Sequence, residues 1–337
     1  MKAVGYTQPQ AIEHAEALLD ITLPDPVAAG RDLLVEVRAI AVNPVDTKVR
    51  KSTPADAGGY KVLGWDAVGI VKNVGPEVTL FKPGDRVWYA GSITRVGANS
   101  QLHLVDERIV GHAPQTLDDA QAAALPLTSL TAWELLFDRL EIAPGKQGGD
   151  AILIIGAAGG VGSIMTQLAR RLTGLTVIGS ASRPETQAWV KELGAHHVVD
   201  HSKPLSEELK RIGVPQVRYV AGLTQSDQHF AQIVECLQPQ GRFGIIDELK
   251  GADVGLLKRK SASLHWELMF TRAVFQTPDM IAQHRILDEL AALVDAGRIR
   301  TTLGEHFGTI NAANLRRAHA LLESGKARGK IVLEGWG

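Results

Sequence analysis

The chain has 337 residues, of which 45% are hydrophobic and 22% charged, and this favours a globular protein of two domains over collagen, coiled-coil or disordered classes. Its 36 basic and 37 acidic side chains leave a formal net charge of -1, which excludes a general electrostatic preference for nucleic acid or an anionic membrane. The single cysteine, Cys236, cannot form an internal disulfide or a cysteine-rich zinc site, and it fits a reducing cytoplasm.

The first part of the chain is predicted to be rich in β-strands. It begins with MKAVGYTQPQ, which lacks the apolar stretch of an export signal, so we expect a first strand and a cytoplasmic protein. Further strand-like runs are LLVEVRAIAV, AVGIVKNVG and DRVWYAG, and turns that contain Pro or Gly separate them. The long uncharged stretch from Ala151 to Ala169 is interrupted by glycines, so it predicts a strand, a turn and a helix rather than a membrane span.

The character of the sequence changes at about Gln115. From there, Ala- and Leu-rich residues at helical spacing lead into the apolar run AILII. Strands and helices then alternate as far as GRFGIID, a pattern that requires a parallel sheet with right-handed crossovers. After about Gln283, a helix, a strand, a second helix and the strand KIVLEG complete the chain. The sequence therefore predicts an α/β protein with a parallel sheet.

A glycine-rich turn follows the run AILII. In the segment AILIIGAAGGVGSIMTQLA, Gly159 would let the backbone approach a pyrophosphate and Gly162 would let the helix pack closely on the strand. The strict GxGxxG pattern is not met, because Ala157 holds its first position. The alternative is a tight strand-to-helix turn without a ligand. We predict a dinucleotide here, contacted by Ala158, Gly159, Gly160, Val161 and Gly162.

The next strand end indicates which dinucleotide is bound. NAD-binding proteins usually carry an acidic residue there for the ribose 2′-hydroxyl, whereas this chain reads VIGSASRPE, with Ala181 at the expected position. Arg183 and its neighbouring serines can bind and neutralise a 2′-phosphate. We therefore predict NADPH as the cofactor, with contacts from Ser180, Ser182 and Arg183; the alternative for Arg183 is a solvent-facing loop residue.

Several other catalytic motifs are absent from the sequence. No tyrosine is followed by a lysine four residues later, and the HExxH, P-loop and GxSxG motifs are missing. His197 and His201 have the i, i+4 spacing of metal ligands, but in a strand that spacing separates side chains by about 13 Å. We interpret these two histidines as surface and strand-end residues.

The whole chain resembles the medium-chain dehydrogenase/reductase superfamily. The resemblance rests on VRAIAVNPVDTKVR, VLGWDAVGIVKNVG, FKPGDRVW, PLTSLTAWELLF, AAGGVG, LGAHHVVDH and GKARGKIVLEG, which follow the family's order. Within the superfamily the chain is similar to the zinc-independent quinone oxidoreductase-like branch that includes zeta-crystallin, whose members are often labelled zinc-type alcohol dehydrogenase-like.

The resemblance implies the α/β fold class in which a Rossmann doubly wound parallel sheet is inserted in a GroES-like β-rich domain, with a cleft between the two domains. The GroES-like catalytic domain is expected to comprise residues 1–125 and 275–337, and the Rossmann NADP-binding domain residues 126–274. The family also implies a homodimer, because related Rossmann domains pair edge to edge.

The resemblance argues against a catalytic zinc. Zinc-dependent members hold the metal with two cysteines and a histidine, and the corresponding residues here are Asn43, Trp65 and Leu127. Without that Lewis acid, alkoxide stabilisation is lost, whereas hydride addition to a conjugated acceptor needs less help. The expected substrate is therefore a quinone or an α,β-unsaturated carbonyl, reduced without metal.

Site residues are inferred from the resemblance one at a time. Asn43 either presents its amide to the substrate oxygen or caps the turn before Pro44, and Asp46 orients the same loop. Tyr60 either donates to or stacks on the substrate, or packs as a loop aromatic, and Trp65 forms an apolar wall. The remaining expected cofactor contacts are Thr131 near the nicotinamide, Gly222, Leu223 and Thr224 at a strand end, and Lys330, for which an ion pair is the alternative.

The sequence is compatible with two other functions. A zinc-free alcohol or aldehyde reductase would turn over simple carbonyls, which the missing ligand set argues against. A non-catalytic NADPH-binding sensor or structural protein is compatible with the lack of a strong acid/base pair.

Overall fold

The computed structural model describes residues 1–145 and 148–337. The chain forms two compact units: unit 1 is Met1–Leu130 with Phe270–Gly337, and unit 2 is Thr131–Met269. The chain passes from one unit to the other twice, and each of the two boundaries expected from the sequence lies five residues from the boundary in the structure.

The strands, in chain order, are β1 (Lys2–Tyr6), β2 (Leu19–Thr22), β3 (Asp32–Val42), β4 (Lys61–Val62), β5 (Ala67–Val74), β6 (Arg86–Tyr89), β7 (Leu102–Asp106), β8 (Val110–His112), β9 (Ala151–Ile155), β10 (Thr176–Ser180), β11 (His197–Val199), β12 (Val217–Gly222), β13 (Leu237–Ile245), β14 (Ser263–Trp266), β15 (Leu303–His306) and β16 (Lys330–Glu334).

The α-helices are α1 (Pro44–Ser52), α2 (Asp119–Ala123), α3 (Pro126–Trp133), α4 (Gly160–Leu172), α5 (Pro184–Glu192), α6 (Leu205–Arg211), α7 (Ser226–Cys236), α8 (Thr271–Phe275), α9 (Ala282–Asp295) and α10 (Ala312–Glu323). Single turns of 3-10 helix cover Ala15–Ala17 and Glu107–Ile109, a longer one covers Val254–Lys260, and a π-helix covers Glu134–Arg139.

Unit 1 is built on two sheets. The smaller has the order β2-β1-β4, and the larger the order β15-β16-β3-β5-β6-β8, with β7 also paired to β3. The first half of β3 alternates buried and partly exposed residues, as expected of a strand with one face on a core. The C-terminal strand β16 pairs antiparallel with β3, so the end of the chain returns to the first domain.

Unit 2 contains a six-stranded parallel sheet with the order β11-β10-β9-β12-β13-β14. Every residue of the central strand β9 is buried, as in strands that are covered on both faces. The strand order reverses between β9 and β12, the position at which open α/β sheets bind ligands beyond their carboxyl ends. The predicted fold class, a doubly wound sheet inserted in a β-rich domain, is confirmed.

The strand register aligns the carboxyl ends of four strands. Ile155 pairs with Gly222, Gly222 with Ile245, and Ile245 with Trp266. The residues that follow, Gly156, Leu223, Ile246 and Glu267, therefore form one row along this edge of the sheet.

In the described part of the chain, no helix combines the length and apolar character needed to cross a bilayer.

Candidate functional site

The glycine turn predicted to bind a dinucleotide lies between β9 and α4 in unit 2. Gly156 has φ +80°, and a Cβ there would lie 2.7 Å from Thr224 Cγ2. A Cβ at Gly162 would lie 2.5 Å from Ala157 Cα, so this glycine is required for the helix to pack on the turn. These two positions need glycine for reasons internal to the fold.

Gly159 differs from its neighbours in the same turn. It is the N-cap residue of α4 and, as glycine, has no side chain to cap the helix. A Cβ there would meet only Gly156 O, at 3.5 Å. The surrounding protein therefore leaves room for a side chain at this position. A phosphate bound against the backbone would occupy that room. First-turn N–H groups and the helix dipole make this an anion-binding geometry, and the residues fit a pyrophosphate.

The end of β10 adjoins the glycine turn. The buried Ser180 Oγ accepts a hydrogen bond from Gly156 N at 3.1 Å, and it lies 3.1 Å from His201 Nδ1. Ala181 is buried, and Ser182 is exposed. His201, interpreted from the sequence as a surface or strand-end residue, is thus half-buried beside the predicted 2′-phosphate contacts, and only the sheet order reveals that proximity.

Arg183 follows at the N-terminus of α5. Its Nε lies 2.8 Å from Glu185 Oε1, and 38% of its side chain is exposed. An exposed ion pair of this kind is worth little, so it does not prevent the guanidinium from binding a phosphate.

The end of β12 carries Gly222, Leu223 and Thr224. Leu223 N donates to Ile155 O at 3.3 Å, and Thr224 packs against Gly156. The fold therefore brings this segment, the glycine turn and the end of β10 together along one edge of the sheet. Thr131 is buried in α3, at the chain crossing that begins unit 2.

Unit 1 contains a buried polar cluster around Asn43. Asn43 Nδ2 donates to Asp66 Oδ2 at 2.8 Å and to Trp65 O at 3.2 Å, while its Oδ1 accepts from Lys330 Nζ. Lys330 Nζ also donates to Asp66 Oδ2 at 2.8 Å and to Val42 O at 3.0 Å. The structure thus joins Asn43 and Lys330, and the three donors of the ammonium are all used within unit 1.

Two buried carboxylates complete this cluster. Asp46 Oδ2 accepts from Asn43 N at 2.7 Å and its Oδ1 from Gly64 N at 2.9 Å, while Asp66 Oδ1 accepts from Leu127 N at 2.7 Å. Burial raises the pKa of Asp46 to about 7. Burial also raises the pKa of Asp66, and the Lys330 ammonium opposes that shift.

The residues present do not fit a catalytic zinc. The Asn43 amide is fully engaged, Trp65 Nε1 donates to Ser92 O at 3.1 Å, and Leu127 offers only its backbone N–H. Over residues 1–145 and 148–337, no group of three or more His, Cys, Asp or Glu side chains is arranged to hold a metal ion. Cys236 is buried in unit 2, where burial raises the pKa of its thiol to about 11.

The two predicted pocket aromatics have different surroundings. Trp65 is buried, and its ring lies edge-on to Phe270 with centroids 6.2 Å apart. Tyr60, just before β4, is 47% exposed. Sequence reasoning did not single out Asp66, although a carboxylate at the start of an apolar strand signals a buried charge that needs a partner.

Comparison with known proteins identifies the family. The model of the alcohol dehydrogenase GroES-like domain matches residues 29–116, and that of the zinc-binding dehydrogenases matches residues 193–333. A zinc-type alcohol dehydrogenase-like protein of Staphylococcus aureus is 40% identical over 336 residues, which is 99% of each chain.

Solved structures agree with that result. A Rhizobium etli protein provisionally called a zinc-dependent alcohol dehydrogenase is 58% identical, with a TM-score of 0.95 over 100% of this chain and 98% of the other. The Escherichia coli quinone oxidoreductase, solved with NADPH, is 28% identical, with a TM-score of 0.85 over 99% and 100% of the two chains. The chain belongs to the medium-chain dehydrogenase/reductase superfamily of oxidoreductases, as the sequence motifs predicted.

Proposed function

We propose that this protein is an NADPH-dependent oxidoreductase that reduces a quinone or an α,β-unsaturated carbonyl without a metal. The observation that carries the proposal is the composition of the cluster around Asn43. Where the family resemblance predicts zinc ligands, the chain has an engaged amide, an indole and an aliphatic side chain, and the positive charge beside them is the Lys330 ammonium.

The cofactor assignment rests on unit 2. The turn at Gly159 and the N-terminus of α4 suit a pyrophosphate, and the segment Ser180–Arg183 has a guanidinium but no carboxylate for the adenosine ribose. The quinone oxidoreductase of E. coli, which shares this fold, was solved with NADPH. Once bound, the reduced nicotinamide supplies the hydride.

The acceptor assignment rests on what the protein offers to developing negative charge. A conjugated acceptor spreads that charge over its own π-system, so it does not depend on a metal. We propose Trp65 as an apolar wall of the substrate pocket and Tyr60 as a phenolic donor or stacking surface beside it. We propose that Asn43 fixes its loop to Trp65 and Asp66 rather than binding the substrate oxygen, because both amide donors are used by these two residues.

The physical state that we propose is a cytoplasmic homodimer. The single buried cysteine fits a reducing compartment. Light scattering at micromolar concentration should give about twice the chain mass of 36.2 kDa. A mass equal to that of one chain would contradict the dimer.

The test is steady-state oxidation of NADPH and of NADH with three acceptors: 1,4-benzoquinone, 2-cyclohexenone and a simple aldehyde. The proposal predicts turnover with the quinone or the enone and a preference for NADPH. Turnover confined to the aldehyde would instead indicate a carbonyl reductase. Tight NADPH binding without turnover of any acceptor would indicate a sensor or structural protein.

A further inference from the structure

Unit 2 buries two glutamates that the proposed chemistry does not use. Glu134 begins the π-helix Glu134–Arg139 and is 1% exposed, and Glu267 directly follows β14 and is 4% exposed. A buried carboxylate is costly unless it is paired or protonated. π-Helical turns are rare and occur frequently at functional sites.

One carboxylate oxygen of Glu267 lacks a hydrogen-bond donor. Its Oε2 accepts from Arg139 Nε at 3.0 Å, whereas its Oε1 is buried and has no donor. The Glu134 and Glu267 side chains are close enough to hydrogen-bond, but two carboxylates have no hydrogen to share. Burial, and then the Glu134 charge, raises the pKa of Glu267 to about 8, while Arg139 opposes the shift. One proton between the two side chains supplies the missing donor.

The pair lies along the edge proposed to bind the cofactor. Glu267 N donates to Ile245 O at 2.9 Å, which continues the row of strand ends that contains Leu223. Two strand spacings, roughly 10 Å, separate Leu223 from Glu267 in this row. Thr131, which the family resemblance places near the nicotinamide, precedes Glu134 by three residues, or about one helical turn.

The π-helix is packed tightly on the sheet. A Cβ at Gly244 in β13 would lie 2.5 Å from Leu135 Cδ1 and 3.2 Å from Leu140 Cδ2, so any side chain there would require these leucines to shift. If both Glu134 and Glu267 were ionised, their repulsion would push the π-helix away from the end of β14, the strand next to β13. That force would oppose the packing of the π-helix on Gly244. The protonation of the pair is therefore expected to affect the position of the π-helix, which directly follows α3 and its Thr131.

We propose that one proton shared by Glu134 and Glu267 holds the π-helix on the sheet edge, and with it Thr131 in the adjoining helix α3, and thereby sets the affinity for the nicotinamide cofactor. The inference rests on the proposed function, because it needs the cofactor on this edge. Both glutamates are positioning residues, since neither is assigned a contact with the cofactor or substrate.

The other charged groups near the pair have partners of their own or titrate elsewhere. Arg139 pairs with Glu267, and from β13 Arg242 Nη1 lies 2.6 Å from Glu141 Oε2. From β14, His265 Nε2 lies 2.8 Å from Ser263 Oγ, and burial lowers the pKa of that imidazole. An alkaline transition in cofactor binding is therefore expected to report the glutamate pair.

The test measures the dissociation constant of NADPH by fluorescence titration, which does not require turnover. In the wild type, the dissociation constant should rise about tenfold between pH about 6.5 and about 9.5. A change of that size corresponds to the loss of one buried hydrogen bond. Glu267→Gln and, independently, Glu134→Gln mimic the protonated acid, so in each the ratio of the two constants should fall to about one. Glu235→Gln, at an exposed position of α7, should keep the wild-type ratio.

Infrared difference spectroscopy provides a second readout that is independent of the cofactor. At neutral pH the wild type should show the carbonyl stretch of protonated carboxylic acid, with one component that Asp46→Asn retains and that Glu267→Gln loses. Absence of that component, or a wild-type dissociation constant that does not change with pH, would overturn the inference while leaving the proposed function intact. Failure of the wild type to bind NADPH at any pH would overturn the proposed function and the inference with it.

Discussion

The Lys330 ammonium lies 2.8 Å from the Asp66 carboxylate, and both side chains are buried in unit 1. The pair joins the C-terminal strand β16 to the start of β5, and Asp66 also accepts the N–H of Leu127 at the start of α3. A buried ion pair is costly to break, because removal of one partner leaves the other charge uncompensated.

Lys330→Met should therefore destabilise the protein by about 3–5 kcal/mol, as measured by urea unfolding. Lys330→Met combined with Asp66→Asn removes both charges and should recover part of that loss. A single variant that unfolds at the wild-type urea concentration would contradict the assigned pairing.

Asp46 should make the stability of the protein fall as the pH rises. Burial raises the pKa of this carboxyl from 3.8 to about 7, so the folded protein binds the proton more tightly than the unfolded chain does. The associated stability is fully present below pH 3.8 and is lost as the pH rises through about 7. The free energy of unfolding of wild type minus that of Asp46→Asn should decrease across this range, and a pH-independent difference would be inconsistent with an ionisable buried Asp46.

His319 should have the opposite effect at acidic pH. It is buried in α10, neither ring nitrogen has a hydrogen-bond partner, and burial lowers the pKa of the imidazole from 6.5 to about 3. The unfolded chain binds a proton that the folded protein does not, so stability is lost as the pH falls from 6.5 towards about 3.

His319→Leu should lose this acid sensitivity, because leucine has a similar size but no nitrogen that the unfolded chain could protonate. Unfolding in urea, measured at several acidic pH values, checks the prediction. His14→Gln, at an exposed position, is the matched control and should behave as the wild type. Equal acid sensitivity of all three proteins would exclude His319 as its source.

The two glycines of the cofactor turn should respond differently to alanine. Gly162→Ala places a Cβ 2.5 Å from Ala157 Cα and should destabilise the fold by about 1–3 kcal/mol through overpacking. Gly159→Ala meets only Gly156 O, at 3.5 Å, and should leave the unfolding temperature nearly unchanged while it weakens NADPH binding. Unchanged NADPH affinity in Gly159→Ala would argue against a pyrophosphate at this turn.

Arg183→Ala should reduce the discrimination between NADPH and NADH. Loss of a charge-assisted contact with the 2′-phosphate is worth about 1.5–3 kcal/mol, so the dissociation constant of NADPH should rise roughly tenfold to a hundredfold. The constant for NADH should not change. The control is Lys191→Ala, which removes an exposed cation from the same helix. An equal effect of both variants on the dissociation constant of NADPH would indicate a general effect of positive charge rather than a contact between Arg183 and the 2′-phosphate.

The fold could be predicted from the sequence because its signals are local. AILII followed by the glycine turn and an amphipathic helix specifies a βα unit within twenty residues or so, and the alternation that follows requires a parallel sheet. Gly162 was assigned its packing role by the same local reasoning, and its distance to Ala157 agrees with that role.

The buried polar groups could not be predicted in this way, because their partners are distant in the sequence. Asp66 and Lys330 meet only after β16 pairs with β3, and Glu134 and Glu267 only after β14 joins the sheet. The sequence shows each charge in an apolar context but carries no signal that names its partner. Asn43 was predicted either to face the substrate oxygen or to cap a turn, and the partners that occupy its amide became evident only in the folded chain.

Metal-independent reduction can be tested by NADPH oxidation with 1,4-benzoquinone or 2-cyclohexenone, using chelator-treated protein whose zinc content has been determined. We expect kcat/KM to be the same before chelation, after chelation and after zinc is added back, because Asn43, Trp65 and Leu127 supply no ligand set for the metal. Loss of turnover on chelation, with recovery when stoichiometric zinc is restored, would contradict metal-independent reduction.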